Sequence, residues 1–411
     1  MELKYPAGPQ AYPEELIKAT SSYKRHAWIA LLALLGFVAF YFSLSGWFAW
    51  KAYALIRASL QAPHQALWLF LGGVASGFVA LFMLKAIWFV KRSNMSDLTE
   101  ITKDEQPELF AFLYRLADEA RAPRPRKVFL SARVNAAVFY DLSLLNLIFP
   151  SRKNLEIGLP LVNVLNASEF KAVLAHEFGH FAQRSMAVGR WVYVAQQIAG
   201  HVVAKRDSLD GFLRSLSSFD IRVAWVGWIL SLVVWAIRSV VDTFFKLVLA
   251  AERALSREME FQADKVSVSL TGSDALIHAL YRCQSADMAW DRTLAFANAE
   301  VRAGRVTADL FEIQSLIIAK LREILDDPTF GEPAQPQGDP SQHRVFQQQM
   351  VQPSRMWASH PLNHEREFNA KQIYLPVPLE ACSAWTLFRD AESLKLKTCA
   401  EMVAAIDPPL P

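Results

Sequence analysis

A chain of 411 residues, 53% of them hydrophobic and with a mean hydropathy of +0.15, has room for one large domain or two ordinary ones and is rich in apolar residues for a soluble protein. Its formal charge is only +3 and its 43 basic residues are spread along the chain, which argues against a nucleic acid as partner. The three cysteines, Cys283, Cys382 and Cys399, show neither metal-type nor redox-type spacing and read as structural thiols of a reduced compartment.

The apolar surplus is concentrated near the start. Ala27 to Trp50 carries no charge, and Ala66 to Val90 carries only Lys85. Each stretch can cross about 30 Å of hydrocarbon at a rise of ~1.5 Å per residue. The short linker "KAYALIRASLQAPHQ" joins them into a transmembrane hairpin, not a cleaved signal. Lys4, Lys18, Lys24 and Arg25 precede the first span and Lys91, Arg92 and Lys103 follow the second, against Lys51 and Arg57 between them. That bias places the N-terminus and everything after Val90 in the cytoplasm. Gly73 and Gly77 form a small-xxx-small pair suited to close helix contact.

Beyond the hairpin the composition is that of a globular domain. "PELFAFLYRLADEAR" has helical spacing, while "KVFL", "VNAAVFY" and "LEIGLPLV" read as strands. Asn166 with Glu169 is a capping-box start for the next helix. On that helix Phe170, Leu174, Phe178 and Phe181 fall within one quadrant and should pack inward, with His176 and His180 together on a different side. Gly179 sits mid-helix at a cost of roughly 1 kcal/mol relative to alanine, acceptable where another element crosses closely.

The stretch "AVLAHEFGHFAQ" therefore carries two histidines one turn apart with Glu177 after the first. Imidazoles at i and i+4 can share one tetrahedral Zn²⁺, and Glu177 is offset so that it meets a zinc-activated water as a general base. Satisfied surface histidines give the same bare pattern, so a third ligand decides. A metzincin would need Gly and His at positions occupied here by Gln183 and Met186. "SREMEFQADKVSVSL" instead offers Glu260 as the third ligand and, one turn on, Asp264 to hydrogen-bond the far nitrogen of a histidine ligand. Ala263 between them is small enough for the two helices to approach near Gly179.

A transmembrane hairpin, "HEFGH" and then "EFQAD" resemble the integral-membrane gluzincin metallopeptidases, which include the HtpX heat-shock protease and the CAAX prenyl protease. The resemblance implies a mostly α fold: membrane-embedded helices plus a gluzincin-type zinc protease domain with a small antiparallel or mixed β-sheet. It also implies one Zn²⁺ per chain, polypeptide substrates and a lipid bilayer as surroundings. By the same resemblance Asn135, Ala136 and Ala137 lie on an edge strand that binds the substrate backbone. "SHPLNHERE" matches the family's late His-Pro motif, so His360 would help stabilise the oxyanion and Arg366 would pair with acidic groups under the site. Two departures stand out: the apolar excursion "DLSLLNLIFPSRKN" where a tight turn is usual, and His-Pro-Leu where a second proline is common.

Glu177 and His360 are thus the expected catalytic pair, and His176, His180 and Glu260 the expected metal ligands. The expected activity is membrane-bound zinc endopeptidase action on membrane or misfolded proteins at the cytoplasmic face. Prenyl-protein processing and an inactive zinc-binding scaffold are the alternatives. The expected segments are a 1–26 tail, a 27–92 transmembrane hairpin, catalytic parts at 93–185 and 251–325, a second hairpin or interfacial pair at 186–250, a mobile loop with the His-Pro motif at 326–375, and a C-terminal 376–411 segment. His180 and Glu260 must share one side of the membrane, so the chain between them crosses it twice or not at all. "VAWVGWILSLVVWAI" is the strong candidate, continued by Arg238, Asp242 and Lys246 as one polar stripe. Its partner, Met186 to Ala204, contains Arg190 and His201, which would have to face the bundle or a water-filled cavity. Lys205, Arg206, Arg214 and Arg222 favour zero crossings, whereas the family's four-span plan favours two.

Overall fold

The computed structural model describes residues 5–85, 98–140, 153–183, 186–203, 221–305, 309–334, 336, 338–346 and 361–404, and the chain is mostly α-helical with one small mixed sheet. It forms two compact units, one from Met1–Thr20, Ser93–Arg184 and Ser256–Pro411, the other from Ser21–Arg92 and Ser185–Leu255.

The first unit contains four strands in the order β1-β2-β4-β3, with β1 Thr99–Ile101, β2 Val128–Ser131, β3 Ala136–Tyr140 and β4 Lys153–Gly158. β2 and β4 run parallel, and the outer strands β1 and β3 are antiparallel to their neighbours. The run "LEIGLPLV" is strand only as far as Gly158, because Pro160 opens a short helix, Leu159–Val164. A proline in the first helical turn gives up no hydrogen bond, so its fixed φ favours that switch. Gly158 is also forced by space: a Cβ there would lie 1.8 Å from the Arg133 carbonyl oxygen.

Helix Pro107–Glu119 presents Leu109, Phe112, Leu113 and Leu116 at helical spacing, and all four are fully buried. They meet Phe170, Leu174 and Phe178 of helix Ala167–Ala182, which begins with the Asn166–Glu169 capping box. Helices Ser273–Arg302, Leu310–Ile324, Asn363–Ala370 and Ala391–Ala404 complete the unit. The C-terminal segment belongs to this core through Trp385, Leu387 and Phe388. Part of the expected loop is fastened too: the Glu367 carboxylate accepts the backbone N–H groups of Val345 and Phe346, each at 2.9 Å. Residues 347–360 and residues 141–152 of the excursion lie outside the described residues, and the last two residues of the excursion, Lys153 and Asn154, open β4.

The residues before the first span pack against the same unit. Lys171, 1% exposed on helix Ala167–Ala182, donates to the Pro6 carbonyl (2.8 Å) and lies 4.2 Å from the centre of the Tyr5 ring. A Cβ on Gly8 would come within 2.6 Å of the Leu270 carbonyl oxygen, and Gln262 donates to the Ile17 carbonyl at 2.5 Å. Residues 5–17 thus touch both of the helices that carry the candidate ligands.

The second unit is a set of helices, Ser21–Ser59, Ala66–Lys85, Met186–Val203 and the first part of Ile221–Thr271. Ile221–Thr271 is one uninterrupted helix of 51 residues, about 76 Å long. The helices meet through Phe37, Tyr41, Phe82, Met83, Ala195 and Val241. A Cβ on Gly73 would lie 2.6 Å from Ile56 Cγ1 and 3.2 Å from the Ala52 carbonyl oxygen, so the small pair does seat the first helix. Trp28, Leu32, Trp68, Trp228 and Trp235 are each more than half exposed, an outer surface suited to lipid and costly in water. Among the described residues two helices, Glu14–Ser59 with its leading turn and Pro63–Lys85, are long and apolar enough to cross a membrane. The expected polar stripe is split: Arg238 donates to the Val202 carbonyl at 2.8 Å, while Asp242 and Lys246 pair at 2.7 Å on the exposed side.

Candidate metal centre

Helix Ala167–Ala182 is buried along nearly its whole length, so its two histidines cannot be solvated surface groups. The helix Ile221–Thr271 crosses it closely: a Cβ on Gly179 would sit 2.9 Å from Ala263 Cα and 3.2 Å from Ala263 Cβ. That crossing, read in the sequence from two small residues, places Glu260 opposite the histidines. Gly179→Val is expected to push the helices apart, lowering stability by about 1–3 kcal/mol and reducing bound metal, as read by thermal unfolding and metal analysis. Unchanged metal content in that variant would remove the importance of the contact.

Ligand atoms of His176, His180 and Glu260 all lie within 4.8 Å of one another, an arrangement that could hold a metal ion. Nε2 of His176 is 3.2 Å from Glu260 Oε2, Nε2 of His180 is 3.3 Å from Glu260 Oε1, and the two Nε2 atoms are 3.2 Å apart. Behind them, His176 Nδ1 lies 2.9 Å from Asp264 Oδ1. Arg366 Nε donates to Asp264 Oδ2 at 2.9 Å, and its Nη2 bonds Oδ1. Arg366 and Asp264 are both fully buried, so each depends on the other as counter-ion. Nη2 also lies 3.2 Å from His176 Nδ1, but with Nδ1–H directed at Asp264 that contact pairs two donors and follows from their shared carboxylate.

Burial and the Arg366 guanidinium both work to lower the His176 pKa, yet hydrogen bonds to Asp264 and Glu260 outweigh them and lift it to about 9. Burial works to raise the Asp264 pKa, but the Arg366 charge and hydrogen bonds bring it below the usual carboxylate range. Two converging imidazole nitrogens and one carboxylate, with the far side of His176 anchored, are a donor set that fits a divalent transition metal.

Glu177 stands next to this cluster, and the edge strand addresses it directly: Val138 N–H donates to Glu177 Oε2 at 3.1 Å. Gly158 N–H donates to the Asn135 carbonyl at 2.7 Å, and register then alternates along the antiparallel pair. The Asn135 carbonyl and the backbone groups of Ala137 face β4, the Asn135 N–H donating instead to the Arg133 carbonyl at 2.9 Å, whereas the backbone groups of Ala136 and Val138 face the outer edge of β3. Of the three substrate-binding residues expected from resemblance, Ala136 turns its backbone to that outer edge, as does the Val138 carbonyl, while the Val138 N–H is engaged by Glu177. His360 lies outside the described residues.

Sequence reasoning missed two further groups. Lys153 donates to the His180 and Phe181 carbonyls at 3.1 and 2.7 Å, neutralising the C-terminal end of the histidine helix. Gln183 connects His180 to the backbone of Met259. Lys153 had no local signal, because its partners are backbone carbonyls far along the chain, and the nearness of Gln183 to His180 gains its meaning only once Met259 is placed beside them.

The sequence model of Peptidase family M48 matches residues 103–373, more than half of the chain and the whole stretch from β2 to Arg366. The chain belongs to peptidase family M48. Among curated relatives, it is 30% identical to Protease HtpX homolog 2 of Methanosarcina acetivorans over 43% of this chain and 54% of that protein. It is 29% identical to Protease HtpX homolog of Moorella thermoacetica over 48% of this chain and 61% of the relative. To Protease HtpX homolog of Acaryochloris marina it is 27% identical, over 56% and 75%. The chain thus spans 54% and 61% of the length of the first two relatives. No solved structure matches it.

Proposed function

We propose that the protein is a membrane-anchored, zinc-dependent endopeptidase with its site at the cytoplasmic face, acting on membrane or misfolded proteins. The observation that carries this reading is the convergence of His176, His180 and Glu260 beside a Glu177 carboxylate held by the outer strand β3. His176, His180 and Glu260 would hold the ion, and the names of the HtpX protease relatives support proteolysis as the activity. Zinc in that position would supply Lewis-acid activation of water and of the scissile carbonyl.

The chain's own residues do the rest. A substrate segment adds to the edge of β3 through the outward backbone groups of Ala136 and the Val138 carbonyl, which sets its register beside Glu177. Val138 N–H engages one carboxylate oxygen of Glu177 and so fixes the group's orientation. Glu177 takes a proton from the attacking water and delivers it to the leaving amine, so no proton is gained or lost over the cycle. Asp264, backed by Arg366, keeps hydrogen on Nδ1 of His176 and leaves Nε2 as the ligand atom. His360 would assist at the oxyanion, as the resemblance implies.

Purified full-length protein in detergent is expected to cleave an unfolded polypeptide, to stop on addition of a chelator and to recover with zinc. Cleavage that survives complete metal removal would refute the reading. For the membrane arrangement, the half-buried Arg238, whose guanidinium donates to the Val202 carbonyl, supports two crossings between His180 and Glu260. Single cysteines placed at Ser208 and Ser217 should then be labelled from outside intact cells, and labelling from the cytoplasmic side alone would sink the two-crossing arrangement.

A further inference from the structure

We infer that Gln183 is a positioning residue that selects the ligating tautomer of His180, as Asp264 does for His176. The inference rests on the zinc reading above. Gln183 is the first residue beyond helix Ala167–Ala182, with extended backbone angles, φ −78° and ψ 123°, and its own N–H returns to the His180 carbonyl at 3.1 Å. Its side chain leaves the helix and spans two groups. Nε2 donates to the Met259 carbonyl at 2.9 Å, and Oε1 lies 3.3 Å from His180 Nδ1.

The logic is one of donor and acceptor accounting. A backbone carbonyl can only accept, so the Met259 oxygen must receive the NH₂ end of the amide. The carbonyl end of Gln183 then has to face His180. An amide oxygen can only accept, so Nδ1 of His180 must carry the hydrogen. In a neutral imidazole that leaves the lone pair on Nε2, the atom 3.3 Å from Glu260 Oε1. Because Met259 immediately precedes Glu260, the same amide ties the second histidine to the backbone beside the third ligand.

The two histidines are thereby held by different chemistry. His176 has a carboxylate backed by a buried guanidinium, whereas His180 has a neutral amide anchored on a peptide carbonyl. Removing the amide should cost zinc affinity about 10 to 100-fold, the range typical of a lost partner to a metal-binding histidine.

The test compares Gln183→Leu and Gln183→Glu in the full-length chain in detergent. Zinc affinity is measured by competition with a chromophoric chelator, and thermal unfolding of the metal-free forms is measured alongside. Gln183→Leu, which removes the acceptor, should raise the zinc dissociation constant about 10 to 100-fold with little change in metal-free unfolding. Gln183→Glu keeps an acceptor for Nδ1–H while losing the donor to Met259, and it should hold affinity within about 10-fold of the parent. Parent-like affinity in Gln183→Leu would overturn the inference, as would equal losses in both variants, which would mark Gln183 as a strut between helices. The parent and His180→Ala serve as controls. If the parent binds zinc and His180→Ala does not, a normal Gln183→Leu defeats the Gln183 inference alone. A parent that binds no zinc defeats the zinc reading and this inference together.

Discussion

Glu177→Gln should leave the chain folded and metal-loaded while lowering turnover of an unfolded polypeptide by about 10²- to 10⁴-fold. Glutamine has the same shape, and its amide oxygen can still accept the Val138 N–H that the carboxylate accepts at 3.1 Å, so the edge strand stays in register. What it lacks is a basic oxygen for the proton of the attacking water. None of His176, His180 and Glu260 is touched, so zinc content should stay near that of the parent. Turnover and metal content are measured on the same preparation. Parent-like turnover in Glu177→Gln would remove the proposed base and with it the mechanism.

Arg366→Leu should cost about 3–5 kcal/mol of stability, because it leaves the Asp264 carboxylate buried without its counter-ion. Asp264 then has to bind a proton or drag in water, and either change disturbs the acceptor on which His176 Nδ1 relies at 2.9 Å. Metal content should fall with stability. The double variant Arg366→Leu with Asp264→Asn removes both charges, and it should recover part of the stability lost by Arg366→Leu alone. Strictly additive losses, read from thermal unfolding of the four proteins, would show that the two groups are not coupled.

The parts of this site that were legible in the sequence are those governed by helical spacing. His176, Glu177 and His180 are set by one helix, and Glu260 and Asp264 by another, so period alone gives their relative directions. Gly179 and Ala263 even indicated where the helices cross, because only small residues permit backbones so close. The capping box at Asn166 was readable for the same reason, as its two hydrogen bonds lie within four residues.

What was not legible depends on residues far apart in the chain. Gln183 reads as any polar residue after a helix until Met259 is placed beside it, and Tyr5 and Pro6 carry no signal that they cover Lys171. The strand after Asn154 was overextended because apolar residues continue through Leu159–Val164, where only Pro160 marks the change to helix. β1, three residues long, falls below the length at which alternation can be recognised. Arg366 was assigned through family resemblance, since a buried arginine has no local pattern of its own.

Metal analysis by mass spectrometry of the purified parent, His176→Ala, His180→Ala and Glu260→Ala proteins tests the central claim most directly. The account predicts close to one zinc per chain in the parent and a large loss in each of the three variants, with the Glu260 variant no exception. Full zinc occupancy in Glu260→Ala, alongside loss in the histidine variants, would contradict it by placing the third ligand elsewhere.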